Sequence, residues 1–417
     1  MAAVTIHWTW METVKTRSPI LQDVHIPPLP PMLFSKRTEV WGRGRAASRW
    51  PPALSGACMR VFVSEYVCGG AWPEETLGSS LAIEGRAMLA ALVEDLLRLP
   101  GVEVATTWDE RLGLFPVDAV STLSVEQISS PDDEQQAFER LCDQSDAAFV
   151  IAPEFHNILA DRVRTASART RLLGCDVEAT TLCSDKLKLA TFLHEAGIPT
   201  IATEAFEPPG QPHSVENGDS VFPCVIKPRD GAGSLLTFRV SDFDELAALS
   251  KELRTDGDGF SFVRQPFIEG VAISCAAIVT AGQGGESDCL RIDVLPPCQQ
   301  ILSDDGCFTY EGAEYPPPIA AATKDKVERL VRRCCSLSPG LNGYVGFDLL
   351  MPDAENAEPI VVEINPRLTT GFLLWQKMCT DNLVARMLAA TADDATPESP
   401  LSWKSAPAAI RMSSLSE

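Results

Sequence analysis

The chain has 417 residues, 45% of them hydrophobic and 22% charged, which is enough apolar material for two or three globular domains. Its formal net charge of −22 argues against nucleic acid or an anionic membrane surface as a partner, because both attract clusters of Lys and Arg. No apolar run is long enough to predict a transmembrane helix.

The thirteen cysteines are scattered along the chain, with no Cys-x-x-Cys pair and no Cys/His spacing of a metal site. An odd number of dispersed cysteines is typical of free thiols in a reducing compartment. We therefore expect a cytoplasmic protein without a disulfide framework.

Residues 1–58 differ from the rest of the chain. They hold 7 Lys and Arg against 3 Asp and Glu, four of the eight Trp residues, three Pro-Pro pairs and no sustained hydrophobic period. We expect a disordered extension here, with the first clear strand, and a candidate translation start, at Met59.

Deleting residues 1–58 is expected to leave activity intact, because no predicted element or chemical motif lies in them. The measurement is the specific activity and solubility of the shortened protein beside the full chain. An insoluble or inactive product would reject the expectation.

An alternation of strand and helix patterns follows Met59. Such alternation predicts an open α/β domain with a parallel sheet at 59–155, joined by a linker at 156–183 to the next domain. The predicted strands are Val61–Val63, 102–104 and 147–151, and the predicted helices are 84–99 and 133–142.

A small α+β lobe is predicted at 184–258. Ser184 is a suitable N-cap for a helix over 185–196, which Gly197 and Pro199 would end. The lobe would also contain strands at 221–227 and 235–240, joined by a glycine-containing turn, and a helix at 242–253.

Lys227 ends an apolar strand directly before the loop Asp230-Gly231-Ala232-Gly233-Ser234. Glycines let backbone N–H groups approach phosphate oxygens closely, and a Lys adds a point charge. A hairpin turn with a solvent-reaching Lys is the alternative, and the P-loop order is absent. Lys186, placed against the helix dipole in the first turn of its helix, is a second candidate cation.

The larger lobe is predicted at 259–390, followed by a tail at 391–417. Antiparallel strands are expected at 261–267, 273–280 and 290–295, and a helix at 324–335. A hairpin then pairs 344–350 with 359–364 around a polar turn centred on Glu355-Asn356.

This hairpin carries the most informative polar residues. Its turn predicts that Asp348 lies opposite Glu363 and that Asn365 projects from the same face. Two carboxylates about 5 Å apart repel by roughly 1 kcal/mol in water and roughly 3 kcal/mol at an effective dielectric near 20. A hard cation such as Mg²⁺ would explain the pair, whereas a solvated hairpin with a Lys or Arg partner is the alternative.

Six motifs follow one another along the chain, and in this order they resemble the ATP-grasp superfamily of carboxylate–amine ligases over about 59–390. They are Ser184-Asp185-Lys186, Val225-Ile226-Lys227-Pro228, the loop 230–234, Phe267-Ile268-Glu269-Gly270, Asp348, and Glu363-Ile364-Asn365-Pro366-Arg367.

The resemblance implies a nucleotide clamped between two α+β lobes behind an open α/β domain. It assigns ATP phosphates to Lys186 and Lys227, with the loop containing Gly231, Gly233 and Ser234 closing over them. It assigns adenine to a hinge that includes Gln265, Phe267 and Ile268. It assigns two Mg²⁺ ions, which Mn²⁺ could replace, to Asp348, Glu363 and Asn365. The transferred phosphoryl group is assigned to Arg367. Ala272 departs from the family, many of whose members place an acidic residue there on the ribose.

A looser likeness to tyramine–glutamate ligases and their bacterial relatives comes from five segments. It implies an ATP-dependent ligase that joins a small-molecule carboxylate to an amine through an acylphosphate, in methanofuran- or pterin-type cofactor biosynthesis, with a homodimer possible. The segments are Ser64-Glu65-Tyr66, Gly69-Gly70, Glu84-Gly85-Arg86-Ala87-Met88, Asp230–Ser234 and Arg367-Leu368-Thr369-Thr370.

Three other functions stay open. A biotin-carboxylase-like enzyme would use bicarbonate at the same nucleotide site, and a catalytically silent module would bind nucleotide without turnover. A Rossmann oxidoreductase is weaker, because Cys68-Gly69-Gly70-Ala71 lacks the Gly-x-Gly-x-x-Gly pattern. Arg86, Arg291, Gln299 and Gln300 are candidate substrate-side groups.

Overall fold

The computed structural model describes residues 58–73, 80–207, 221–256, 259–280, 290–354, 356–391 and 399–415. The expected extension therefore lies outside the described residues except for Cys58, and so does part of the expected tail. No helix in these described ranges combines the length and hydrophobicity needed to cross a bilayer. The cysteines within them are all free, and burial raises the pKa of several thiols, that of Cys175 to about 12.

The N-terminal domain is built on a five-stranded parallel sheet, which confirms the predicted open α/β arrangement. Its central strand β1 pairs in parallel with β2 on one side and β4 on the other. Val61 and Phe62, on opposite faces of β1, are both fully buried, as expected for a sheet covered by helices on both sides. The strands are β1 (Met59–Glu65), β2 (Val102–Asp109), β3 (Leu123–Ile128), β4 (Ala147–Ile151) and β5 (Arg171–Leu172) in the order β3-β2-β1-β4-β5, with helices α1 (Ser80–Leu97) and α2 (Pro131–Asp143).

The segment expected as a linker is not a linker: it carries strand β5 of the N-terminal sheet and is otherwise largely helical. It contains α3 (Ile158–Ser167) and α4 (Val177–Ser184). The prediction that Ser184 caps the next helix is wrong, because its hydroxyl donates to the carbonyl of Thr180, 2.7 Å away, inside α4. Asp185 instead caps α5 (Lys186–Glu195), where its side chain accepts from the N–H of Lys188 at 3.0 Å.

The small lobe has a four-stranded antiparallel sheet. The strand predicted at 261–267 belongs here and not in the larger sheet, since Gln265 pairs with Val225. Its hydrophobic pattern predicted a strand but could not identify its partner. The strands are β6 (Glu204–Phe206), β7 (Cys224–Pro228), β8 (Phe238–Val240) and β9 (Phe262–Pro266) in the order β6-β9-β7-β8, covered by α6 (Phe243–Asp256).

The large lobe has a seven-stranded sheet. The segment 391–417, expected as a tail, supplies its edge strand 408–411, which pairs with 310–315. The strands are β10 (Gly270–Thr280), β11 (Arg291–Val294), β12 (Cys298–Leu302), β13 (Tyr310–Tyr315), β14 (Gly343–Pro352), β15 (Ile360–Asn365) and β16 (Ala408–Arg411). They lie in the order β15-β14-β10-β12-β13-β16, and β11 pairs with β10 beside this path. The helices of the lobe are α7 (Ala321–Leu337), α8 (Phe372–Met378) and α9 (Leu383–Ala390).

Helix α1 of the N-terminal domain packs against the large lobe. Gln376 donates to the carbonyl of Ala91 at 3.0 Å, and Asn382 donates to the carbonyl of Asp95 at 2.9 Å. These contacts, in the middle and C-terminal turns of α1, hold the helix against the large lobe.

Candidate active site

The acidic hairpin has the predicted geometry. Asp348 on β14 pairs with Glu363 on β15, and Asn365 donates its amide N–H to Asp348 Oδ2 at 2.9 Å. Gln300, from β12, donates to Asp348 Oδ1 at 2.6 Å. Two carboxylates and one amide therefore share a face.

The two hairpin carboxyl groups have opposite electrostatic environments. Burial, with the nearby charge of Glu363, raises the pKa of Asp348 to about 6. Burial would also raise the pKa of Glu363, but Lys186 and Lys227 outweigh it and lower that pKa to about 2. The hairpin thus holds one firmly ionised carboxylate and one that protonates in mildly acidic solution.

The two predicted phosphate cations meet the hairpin at Glu363. Lys227 Nζ lies 2.7 Å from Glu363 Oε1, and Lys186 Nζ lies 3.7 Å from the same oxygen and donates to the carbonyl of Gly231 at 3.0 Å. Both lysines are buried, and burial lowers the pKa of Lys227. The alternative interpretation of the hairpin was a solvated surface hairpin with a Lys or Arg partner. Glu363 does have a Lys partner, but that lysine is buried inside a cleft and the hairpin is not solvated there.

The glycine loop is held from both sides. Gly233 has φ +65°, and a Cβ there would lie 3.0 Å from Leu81 of helix α1. Ser234 donates its hydroxyl to the carbonyl of Phe308, 2.7 Å away in the segment between β12 and β13. A side chain at position 233 would therefore strain the backbone and press on α1.

The hinge residues Gln265, Phe267 and Ile268 line the same cleft. The N–H of Phe267 already donates to the carbonyl of Pro223 at 2.9 Å, so an adenine ring would have to use other backbone groups of the hinge. Ala272 also lines the cleft and offers no carboxylate to a ribose.

Arg367 bridges the large lobe and the N-terminal domain. Its Nε and Nη2 donate to the two carboxylate oxygens of Glu154 at 2.7 and 2.9 Å, and Nη1 donates to the carbonyl of Leu368 at 3.2 Å. The side chains are 13% and 5% exposed, so the pair is removed from solvent. Sequence reasoning missed Glu154, which lies 213 residues away in a segment without a motif.

All twelve sequence-predicted site residues line one cleft with a cavity volume of about 280 Å³. Gln300 joins them, whereas Arg86, Arg291 and Gln299 do not line it. Glu84, Tyr310 and Thr370 are lining residues that the sequence did not single out as a site, although Glu84 and Thr370 stand in motifs of the looser likeness.

The donor set fits magnesium better than zinc. No group of three or more His, Cys, Asp or Glu gathers in the described part of the chain. Two carboxylates and an amide oxygen are hard donors, and Mg²⁺ is commonly held by one or two carboxylates plus phosphates.

Comparison with known proteins finds related domains and sequences. Residues 183–371 match the ATP-grasp domain, and 102–180 match the pre ATP-grasp 3 domain. The tyramine–L-glutamate ligase of Methanocaldococcus fervens is 28% identical over 227 residues, which cover 54% of this chain and 60% of that protein. The chain thus spans less than two thirds of this relative's length.

Two solved structures share the fold. The L-amino acid ligase of Bacillus licheniformis superposes with a TM-score of 0.59 at 16% identity, covering 82% of this chain and 78% of that one. The N5-carboxyaminoimidazole synthetase of Staphylococcus aureus complexed with ADP superposes with a TM-score of 0.61 at 15% identity, covering 85% of this chain and 82% of that one. At such identities the likeness shows the fold alone.

Proposed function

Because residues 183–371 are an ATP-grasp domain within a chain of ATP-grasp architecture, we propose that this protein is an ATP-dependent ligase that joins a carboxylate to an amine and releases ADP and phosphate. The observation that carries the proposal is the meeting of two buried lysines, the glycine loop and the acidic hairpin in one cleft. The name of the relative from Methanocaldococcus fervens makes L-glutamate and tyramine the first substrates to test. A role in methanofuran- or pterin-type cofactor biosynthesis is part of the same proposal.

In the proposed reaction, a carboxylate oxygen of the substrate bonds to the γ-phosphorus of ATP, and the bond to the β-phosphate oxygen breaks. The amine nitrogen then bonds to the acyl carbon of the acylphosphate, and phosphate leaves. Both steps need charge neutralisation more than a protein nucleophile. Lys186 and Lys227 would neutralise the phosphates, and Arg367, kept rigid by Glu154, would face the transferred phosphoryl group.

Asp348, Glu363 and Asn365 would hold magnesium ions in this scheme. When bound, such ions would offset the negative charge of the transferring group. When no ion is bound, the ion pair with Lys227 would neutralise the charge of Glu363. Gln300 and Asn365 fix both oxygens of Asp348, so this carboxylate is oriented in advance.

A substrate screen tests the proposal. The full chain is incubated with ATP, MgCl₂, one amino acid and one amine, beginning with L-glutamate and tyramine, while phosphate release and product mass are recorded. We expect phosphate release only with both substrates present, and a product equal in mass to the pair less one water. The Glu363→Gln variant is the inactive control, because it lacks the carboxylate that the lysines and the ions share.

Two outcomes of the screen would favour other functions. ADP release that requires bicarbonate and no amine would favour a carboxylase. ATP binding without turnover across the whole panel would favour a silent nucleotide-binding module.

A further inference from the structure

One end of the cleft carries a carboxylate from another domain. Glu84, on α1, is the one lining residue among the described residues that comes from the N-terminal domain. The contacts of Gln376 and Asn382 with α1 fix this helix against the large lobe. Leu81, one turn earlier on α1, lies beside the glycine loop, so Glu84 is close to where the phosphates of ATP are proposed to bind.

Glu84 lacks a cationic partner among the described residues. The hydroxyl of Thr370 donates to its Oε2, but no Lys, Arg or His nitrogen of the described chain lies within 4 Å of its carboxylate. Arg367 is near enough to act through its charge, but among the described residues its nitrogens bond to Glu154 and Leu368 and not to Glu84. A half-buried carboxylate without a counter-charge is unfavourable, so a bound cation would be favourable there.

Tyr310 provides a second polar group at this end. Its side chain lines the cleft, and its hydroxyl oxygen is buried with no hydrogen-bond partner among the described residues. Both side chains line the same cleft, and burial together with the charge of Glu84 raises the pKa of this phenol. A buried hydroxyl without a partner loses its hydration without compensation unless a ligand supplies a hydrogen bond.

We propose that Glu84 and Tyr310 bind the ammonium group of the amine substrate and that Glu84 accepts the proton that the amine must lose before it attacks. The proposal rests on the ligase function proposed above. An ammonium would give N–H donors to both groups and a positive charge to Glu84. Thr370 would hold the carboxylate in place.

The proton balance of the step is simple. The ammonium gives one proton to the carboxylate of Glu84, and its freed electron pair forms the bond to the acyl carbon. The bond from that carbon to the phosphate oxygen breaks, and the phosphate leaves with the electron pair and takes the second N–H proton. Glu84 then returns its proton to solvent. Burial raises the pKa of Glu84, against the opposing effects of Thr370 and Arg367, which makes it a better proton acceptor.

Hydroxylamine separates this role from phosphoryl transfer. It is largely uncharged at neutral pH, needs no base, and converts an acylphosphate to a hydroxamate that iron(III) detects by colour. Three assays are therefore compared at pH 7.5 with L-glutamate or the best carboxylate of the screen: amide formation with the amine, hydroxamate formation with hydroxylamine, and the KM for ATP.

For Glu84→Gln we expect amine-dependent kcat/KM to fall roughly 100-fold or more. Hydroxamate formation and the KM for ATP should stay within about twofold of the wild-type values. Tyr310→Phe should lose roughly tenfold in amine-dependent kcat/KM, because one hydrogen bond is removed. Glu94→Gln, the same change at an exposed site of α1, is the matched control and should change none of them.

Equal loss of hydroxamate and amide formation in Glu84→Gln would overturn the proposal, and so would an unchanged amide rate. The thermal unfolding midpoint of each variant is measured first. If Glu84→Gln does not fold, the proposal stands only if Tyr310→Phe loses amide formation while keeping hydroxamate formation. Wild-type protein that forms neither amide nor hydroxamate with any carboxylate would instead reject the ligase function itself.

Discussion

Replacing Asp348 with Asn should stabilise the ligand-free protein while abolishing its magnesium-dependent release of ADP. The folded protein raises the pKa of this carboxyl group from 3.8 to about 6, which corresponds to roughly 3 kcal/mol of destabilisation once the group is ionised in both states. Asn carries no charge to repel Glu363, but it offers one acceptor where Gln300 and Asn365 now use two. We therefore expect a gain of about 1–3 kcal/mol in the free energy of unfolding at pH 8.

The sign of the pH dependence follows from the raised pKa. The protonated form of Asp348 contributes to the free energy of unfolding of the wild type. This contribution is fully present below pH 3.8 and is lost as the pH rises through about 6. The advantage of Asp348→Asn should therefore be largest above pH 7 and should shrink toward pH 4.5. Denaturant unfolding of both proteins at several pH values measures it.

Glu363→Gln is the opposite case within the same hairpin. The lysines lower the pKa of Glu363 from 4.5 to about 2, so its ionised form stabilises the fold above pH 4.5, and this stability is lost as the pH falls through about 2. The variant leaves Lys227 buried without its counter-ion, and we expect a loss of about 2–4 kcal/mol at pH 8. Asp353→Asn, an exposed carboxyl of the hairpin, is the control. A shift of the same sign in both site variants would contradict the electrostatic assignment.

Lys186→Met and Lys227→Met should each weaken ATP binding by roughly 10- to 150-fold, because each removes a charge-assisted contact worth about 1.5–3 kcal/mol. Met keeps most of the side-chain volume in these buried positions. Calorimetric titration with ATP in the presence of MgCl₂ measures the loss, which should be smaller for AMP if the charges act on the outer phosphates.

Lys188→Met supplies the matched control for this pair. Lys188 lies on the same helix, two residues after Lys186, but its side chain is 60% exposed and reaches only Asp185, 3.4 Å away. Its variant should bind ATP as the wild type does. Unchanged ATP affinity in Lys227→Met, or an equal loss in Lys188→Met, would remove the phosphate role from the buried lysines.

Local patterns were sufficient to predict the centre of the site. Asp348 and Glu363 lie opposite each other on adjacent strands of an antiparallel hairpin, as their spacing predicted, and the register shifts directly after Asp348. The position of Lys227 at a strand end and the two glycines after it likewise depend on neighbours in sequence. The N-terminal sheet was predictable because strand and helix periods alternate there.

Other features depend on residues that are distant in sequence. No local signal joins Arg367 to Glu154, and none aims Glu84 at the cleft, because both contacts arise from packing the N-terminal domain on the large lobe. The transfer of strand 262–266 to the small sheet and the pairing of 408–411 with the large sheet have the same origin. The sequence by itself predicted which candidate phosphate and metal residues would meet in one cleft, because hairpin register and loop chemistry are local. Only the tertiary structure brought the carboxylate of Glu84 and the phenol of Tyr310 into this cleft, because that depends on how separate domains bury their surfaces against each other.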